Sequence, residues 1–269
     1  MIPDFLKSIL LPFGVDIFCT QKKFLIFNLV SRNLKIKYRR SFLGILWTLL
    51  SPLAMTAVYF FVFKIVMNVQ IPHRLVFFMS GILFWSFVSQ TIIEGMESLV
   101  GNVGLISKVP IPVNVFPFVS VVTNFVTLLL SMPVLLGAAL VSQAPLSFSL
   151  LLLPIYALML LCMVYGMSFC LGVVFVFLRD LRHLMGIVIS IWFYASPVVY
   201  SEQMIPEKYQ WILYVNPLGI FFSDLHLIWV QGGWPSIGHF SIVLAWTLVF
   251  VFAAIFVQKK FSKGLVELL

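Results

Sequence analysis

Charge is what this sequence has least of: 10% of its 269 residues are Asp, Glu, Lys or Arg, against about 25% in an ordinary globular chain. With 62% of residues hydrophobic, a water-facing surface cannot be assembled, and the chain reads as an integral membrane protein. Cysteine is also sparse. Cys19, Cys162 and Cys170 are the whole complement, with no C-x-x-C or zinc spacing, and the last two lie in apolar sequence as small core residues. Nothing holds a nucleotide or a catalytic metal by motif: there is no G-x-x-x-x-G-K-[ST], no H-E-x-x-H and no G-x-S-x-G, so no catalytic, cofactor or metal residue is assigned. His73, His183, His226 and His239 are scattered, each read as an interface hydrogen-bonder rather than a ligand. No cleavable signal peptide is expected, because Asp4 stands where a basic leader would be.

The formal charge of +8 raises the question of nucleic acid. The cations sit beside apolar runs, where they act as topology signals and attract anionic membrane lipid, so no nucleic-acid partner is inferred.

What is present is a succession of uncharged stretches. Met1 to about Thr20 is a weakly apolar lead-in broken by Pro3, Pro12 and Gly14. From about Gln21 to Ser41, Phe24, Phe27, Val30, Leu34 and Tyr38 recur at helical spacing, with Lys22, Arg32, Lys35 and Arg39 on another face. That pattern predicts an amphipathic helix lying at the membrane interface; a solvated basic tail is the alternative.

No charge falls between Arg40 and Lys64, enough to cross a hydrocarbon layer of roughly 30 Å, and this is span one. Span two, from Leu75 to Ile93, runs into Glu94 and Glu97, three apart on one helix face. Acidic groups near membrane depth are functional candidates, although both also fit carboxylates facing a neighbouring helix or the interface. The Gly- and Pro-rich stretch from Gly101 to Pro112 reads as a cytoplasmic connection. Spans three (about 115–141) and four (about 149–177) divide at Ser142-Gln143-Ala144-Pro145, and Arg179-Asp180-Leu181-Arg182-His183 separates span four from span five (about 184–201). Residues 202–239 are too interrupted by Pro206, Pro217 and Pro235 for a clean span and too aromatic for a solvated loop. A re-entrant helical hairpin fits them, because irregular backbone at membrane depth needs shielding. Span six covers about 240–257.

The expected fold is therefore an all-α integral membrane protein with two regions, 1–41 as cytoplasmic lead-in and interfacial helix and 42–269 as a six-span transmembrane domain. This arrangement leaves Lys64, Arg74 and Lys208 outside and the other Lys and Arg residues inside, which by the positive-inside rule places both termini in the cytoplasm and the hairpin on the external face. Span centres almost free of charge argue against ion-coupled transport. Energy then has to come from a separate chain, most simply an ATPase.

The stretch Arg32-Asn33-Leu34-Lys35-Ile36-Lys37-Tyr38-Arg39-Arg40-Ser41-Phe42-Leu43-Gly44-Ile45-Leu46-Trp47, with Pro52-Leu53, Tyr59 and Val62-Phe63, resembles the amino-terminal signature of polysaccharide-exporting ABC transporter permeases. The likeness continues at Leu105-Ile106-Ser107-Lys108-Val109 with Pro112 and Pro117, at Phe177-Leu178-Arg179-Asp180-Leu181, and at Ser196-Pro197-Val198-Val199-Tyr200, Ile205-Pro206, Trp211 and Asn216-Pro217. These segments come in family order over most of the chain and are most similar to the O-antigen branch. Two departures stand out. Pro110-Ile111 replaces an aromatic before Pro112, with Val113-Asn114 in place of an Arg-Glu pair after it, and Ser223-Asp224-Leu225-His226 stands where an Arg is usual.

The resemblance implies a homodimer in a bacterial inner membrane, forming a channel for a lipid-linked polysaccharide, with two copies of an ABC ATPase supplying the ATP and Mg chemistry. It implies ATPase coupling through Arg32, Lys35 and Arg39 and through Lys108, Pro110 and Pro112; for the three interfacial cations, plain phospholipid contact is compatible. Arg179, Asp180 and Arg182 form a cytoplasmic charge cluster. Spans one and five line the channel in the family, making Trp47, Tyr59, Trp192 and Tyr194 lining candidates, with lipid-facing or core packing as the alternative. Pro197, Tyr200, Trp211, Asn216 and Pro217 belong to the external gate hairpin. Rival readings are a capsule or teichoic acid exporter, a drug or small-lipid ABC permease, and a glycosyltransferase or flippase working without ATP.

Overall fold

The computed structural model describes residues 20–38, 46–106 and 112–261. Expectations for the lead-in and for Arg39, Lys108 and Pro110 lie outside these residues. In chain order the helices are α1 (Thr20–Tyr38), α2 (Trp47–Phe61, continued by a wider π turn Val62–Val66), α3 (Arg74–Gly101), α4 (Val115–Val141), α5 (Leu153–Phe177, entered through a 3-10 turn Phe148–Leu152), α6 (Leu181–Ala195), α7 (Trp211–Val215), α8 (Gly219–His226, continued by a π turn Leu227–Gln231) and α9 (Ile237–Phe261). No strand occurs among the described residues. A helix satisfies its own backbone, which is what a chain with so few water-facing groups requires in lipid.

Five segments are long and apolar enough to cross a bilayer: Leu49–Val66, Arg74–Gly101, Val115–Val141, Phe148–Phe177 and Ile237–Phe261. The stretch expected to be span five is a shorter helix followed by turns and bends at 196–200. α6 has 15 residues, about 22 Å at 1.5 Å per residue. It stops at Ala195 because Pro197 disfavours helical backbone at Ser196, which is extended at φ −110°, ψ 144°. The chain runs on with Ser196, Val198 and Val199 buried, and it passes so close to α3 that a Cβ on Gly81 would lie 2.1 Å from the Val198 carbonyl oxygen. The predicted hairpin is present as two helical segments, Glu207–Val215 and Gly219–Gln231, bent by 107°. The break falls at extended Asn216 (φ −76°, ψ 120°) ahead of Pro217.

α3 is the central post, packed against α2, α4, α5, α6 and α8. Its 28 residues cover about 42 Å, and buried side chains run from Val76 to Leu99. It passes straight through Glu94 and Glu97, two turns beyond the apolar run that marked span two. α5 and α9 pair closely across Gly166, where an added Cβ would fall 2.4 Å from the Phe250 carbonyl oxygen; small residues let membrane helices approach in this way.

The two ends of the bundle differ. At one end, the charged end, α1 docks through Ile26, Leu29 and Val30 onto a cluster that includes Leu99, Val115, Phe116 and Val119. Phe24 and Phe27, placed by spacing on the same face as Val30, are instead exposed. α1 therefore has two apolar faces, one against protein and one outward. At the hairpin end, α7 and α8 fold over α3, α5 and α9. The outer faces of α2 (Trp47, Leu50, Met55, Val58, Phe61) and α6 (Leu184, Ile187, Ile191, Tyr194) are bare.

Candidate functional site

At the charged end the polar side chains form a connected set. Lys37 extends from α1 and donates to Glu94 Oε1 at 3.1 Å, Gln90 Oε1 at 3.1 Å and Asn124 Oδ1 at 2.8 Å. Asn124 donates in turn to Glu94 Oε2 at 2.8 Å. One ammonium and one carboxylate thus join α1, α3 and α4. Arg32 donates to Asn102 Oδ1 at 2.9 Å, and Asn102 returns a bond to the Ser98 carbonyl at 2.8 Å. One turn along α3 from Glu94, Glu97 pairs with Arg182 of α6 at 2.9 Å. Both acidic residues of span two therefore meet cations on neighbouring helices, which is the structural alternative of the two readings the sequence allowed.

Of the coupling candidates, Arg32 holds the end of α3, Lys35 is exposed, and Pro112 accepts from the Val115 N–H in the turn that starts α4. Within the charge cluster 179–182, Asp180 precedes the first turn of α6, Arg182 holds Glu97, and the Arg179 guanidinium lies 5.9 Å from the Phe175 ring centroid. Lys37 escaped the sequence reading. The signal was there: residues 26, 30, 33 and 37 share one helix face, and a cation on a protein-facing stripe needs a partner close by.

At the hairpin end, Asn216 is the clasp. Its Oδ1 accepts from the Trp192 indole N–H at 2.8 Å and the Leu218 N–H at 3.0 Å, while its Nδ2 donates to the Ala195 carbonyl at 3.0 Å and Ser196 Oγ at 2.8 Å. The hairpin elbow is thereby fixed to the end of α6 beside Pro197. Tyr200 donates to the Tyr194 carbonyl at 3.1 Å, and Trp211 is exposed. A second junction, also missed, centres on fully buried Asp224. Tyr156 of α5 donates to its Oδ2 at 2.8 Å, and His239 Nδ1 of α9 lies 2.8 Å from its Oδ1. A carboxylate in an apolar stretch was the available cue.

The four lining candidates separate into two pairs. Tyr59 packs into an aromatic cluster with Phe78 and Phe193, centroids 6.5 and 5.8 Å away, and Trp192 sits edge-on to Trp85 at 6.2 Å. Trp47 and Tyr194 are exposed on the bare faces.

A helical bundle of membrane-length segments, a docked amino-terminal helix braced by the Lys37–Glu94 ion pair and a folded-back hairpin define a multi-pass membrane transport subunit. The ABC-2 type transporter family model matches residues 25–228, and the chain belongs to that family. It is the transmembrane permease of such an exporter, and nucleotide binding lies in a partner ATPase. An O-antigen export system permease protein RfbA of Klebsiella pneumoniae is 30% identical over 205 residues, covering 76% of this chain and 79% of that protein. A protein of the same name from Myxococcus xanthus is 30% identical over 240 residues, covering 86% and 92%.

Proposed function

We propose that this permease exports a lipid-linked polysaccharide, of the O-antigen type, across a bacterial inner membrane as a homodimer served by two ATPase copies. The observation that carries this reading is the extended similarity to O-antigen export permeases, over 76% and 86% of the chain. We assign the outer faces of α2 and α6 as the wall that each subunit gives to a two-copy channel, and the outer faces of α4 and α9, which are also exposed and apolar, as lipid-facing. Trp47 and Tyr194 then sit where the walls meet the glycan, on which aromatic faces stack without a fixed hydrogen-bond register. The charged end is cytoplasmic. There the ATPase moves α1, and the Lys37–Glu94 and Arg182–Glu97 pairs carry that motion to α3 and α6. The hairpin, clasped by Asn216, gates the external side.

Deleting the gene in its native host should remove the glycan from the cell surface and leave lipid-linked polymer inside, and the purified permease should co-isolate with an ATPase. Unchanged surface glycan in the deletion strain would refute the reading.

A further inference from the structure

Beside the hairpin, a cavity of about 480 Å³ opens between the loop after α2, the turns after Tyr200, α8 and the start of α9. Small-molecule sites occupy roughly 300–1,000 Å³. It lies within one subunit and takes in neither the bare face of α2 nor that of α6. His226, 6% exposed, stacks on Phe77 with centroids 3.9 Å apart and forms part of the inner wall, its Nε2 turned toward Gly81 of α3, with Ser223 beside it. Both residues line the cavity together with Asp224, and Gln70, Gln203 and Gln210 are among those that complete it.

The donor set decides what fits. Gln70, Ser201, Gln203, Gln210 and Gln231 on the lining are open to solvent, and an apolar occupant would strip their water without replacing its hydrogen bonds, at about 1–3 kcal/mol for each group left unpaired. An anionic occupant would meet Asp224 and Glu202 with no Lys or Arg among the lining residues. Planar amides offer a donor and an acceptor side by side, carboxylates accept, and an imidazole or serine hydroxyl does either. That combination matches adjacent hydroxyls on a ring, each of which is also both donor and acceptor.

We infer that this cavity is a binding site for a neutral, hydroxyl-rich sugar residue, a resting place for the glycan beside the hairpin and apart from the channel walls. The inference rests on the export reading above for the glycan's presence at this end.

The test uses the permease with its ATPase in lipid nanodiscs and the methyl glycosides of galactose, mannose, rhamnose and N-acetylglucosamine as probes, read by saturation-transfer NMR. At least one probe should give a signal. Gln210→Ala should weaken binding about tenfold, the loss of one to two hydrogen bonds. Met204→Trp, which fills the rim from a position 40% exposed, should abolish the signal without touching the buried groups. No signal from any probe, or a signal equal in wild type and both variants, overturns the site. Surface glycan in the deletion strain is scored separately: its loss alongside a silent cavity removes only this inference, and its persistence removes the export reading instead.

Discussion

Lys37 makes three side-chain hydrogen bonds at once, and the seat of α1 depends on them. Replacing it by Met strands the Glu94 carboxylate with Asn124 alone. Because both partners keep some solvent contact, at 24% and 42% side-chain exposure, the cost should be about 1–2 kcal/mol, between an exposed and a buried pair. A double-mutant cycle of Lys37→Met and Glu94→Gln, followed by thermal unfolding in detergent, should show the double variant recovering part of the loss; strictly additive losses would mean the pair is not coupled. Asn216→Ala removes four hydrogen bonds from one elbow and should cost roughly 2–4 kcal/mol. Limited proteolysis should then cut the hairpin first. At this scale the sequence was only partly legible. Asn216-Pro217 and Arg182 were found as local signatures, whereas Lys37–Glu94 and Tyr156–Asp224–His239 join residues 57, 68 and 15 positions apart, and no local pattern reports such pairings.

The helices themselves were read more easily, because uninterrupted apolar runs leave few alternatives in lipid. α4 ends at the uncharged break Ser142-Gln143-Ala144-Pro145, and α5 ends where the charge-free stretch meets Arg179. α3 outran its apolar run because Glu94 and Glu97 find cations on neighbours, a tertiary fact. α6 was overestimated because the apolar run 184–201 is blind to the backbone preference before Pro197. The contact of α5 with α9 yields a firm expectation: Gly166→Val places a side chain against the Phe250 backbone, which cannot yield as a side-chain tip would. The helices must separate, and the yield of folded protein by fluorescence-detected size exclusion should fall severalfold, while Gly104→Ala, where a Cβ meets nothing within 4 Å, should leave it unchanged. In α1, reversing Arg32 and Lys35 to Glu should cut glycan export while leaving membrane insertion intact; unimpaired export would reduce both residues to lipid contacts.

For the whole molecule, the architecture was legible from charge distribution, and the orientation it implies is open to direct measurement. In a variant lacking its three native cysteines, Gln210→Cys should react with a membrane-impermeant maleimide added to intact cells, and Lys259→Cys should react only after the cells are opened. The reverse pattern would invert the proposed gate and coupling ends.

The bare outer face of α2 also bears on how long the protein survives after synthesis. Within one subunit α2 is held mainly by its packing on α3; in the proposed homodimer it would stay loosely held until a second copy arrives, and such a hydrophobic helix is the kind of segment that membrane quality-control proteases extract. Dimerisation would then act as a maturation checkpoint, coupling the lifetime of each newly made copy to its own abundance. Placing Arg at Val58, which is exposed on that face, should shorten the half-life in a pulse-chase experiment well before any defect in insertion is seen.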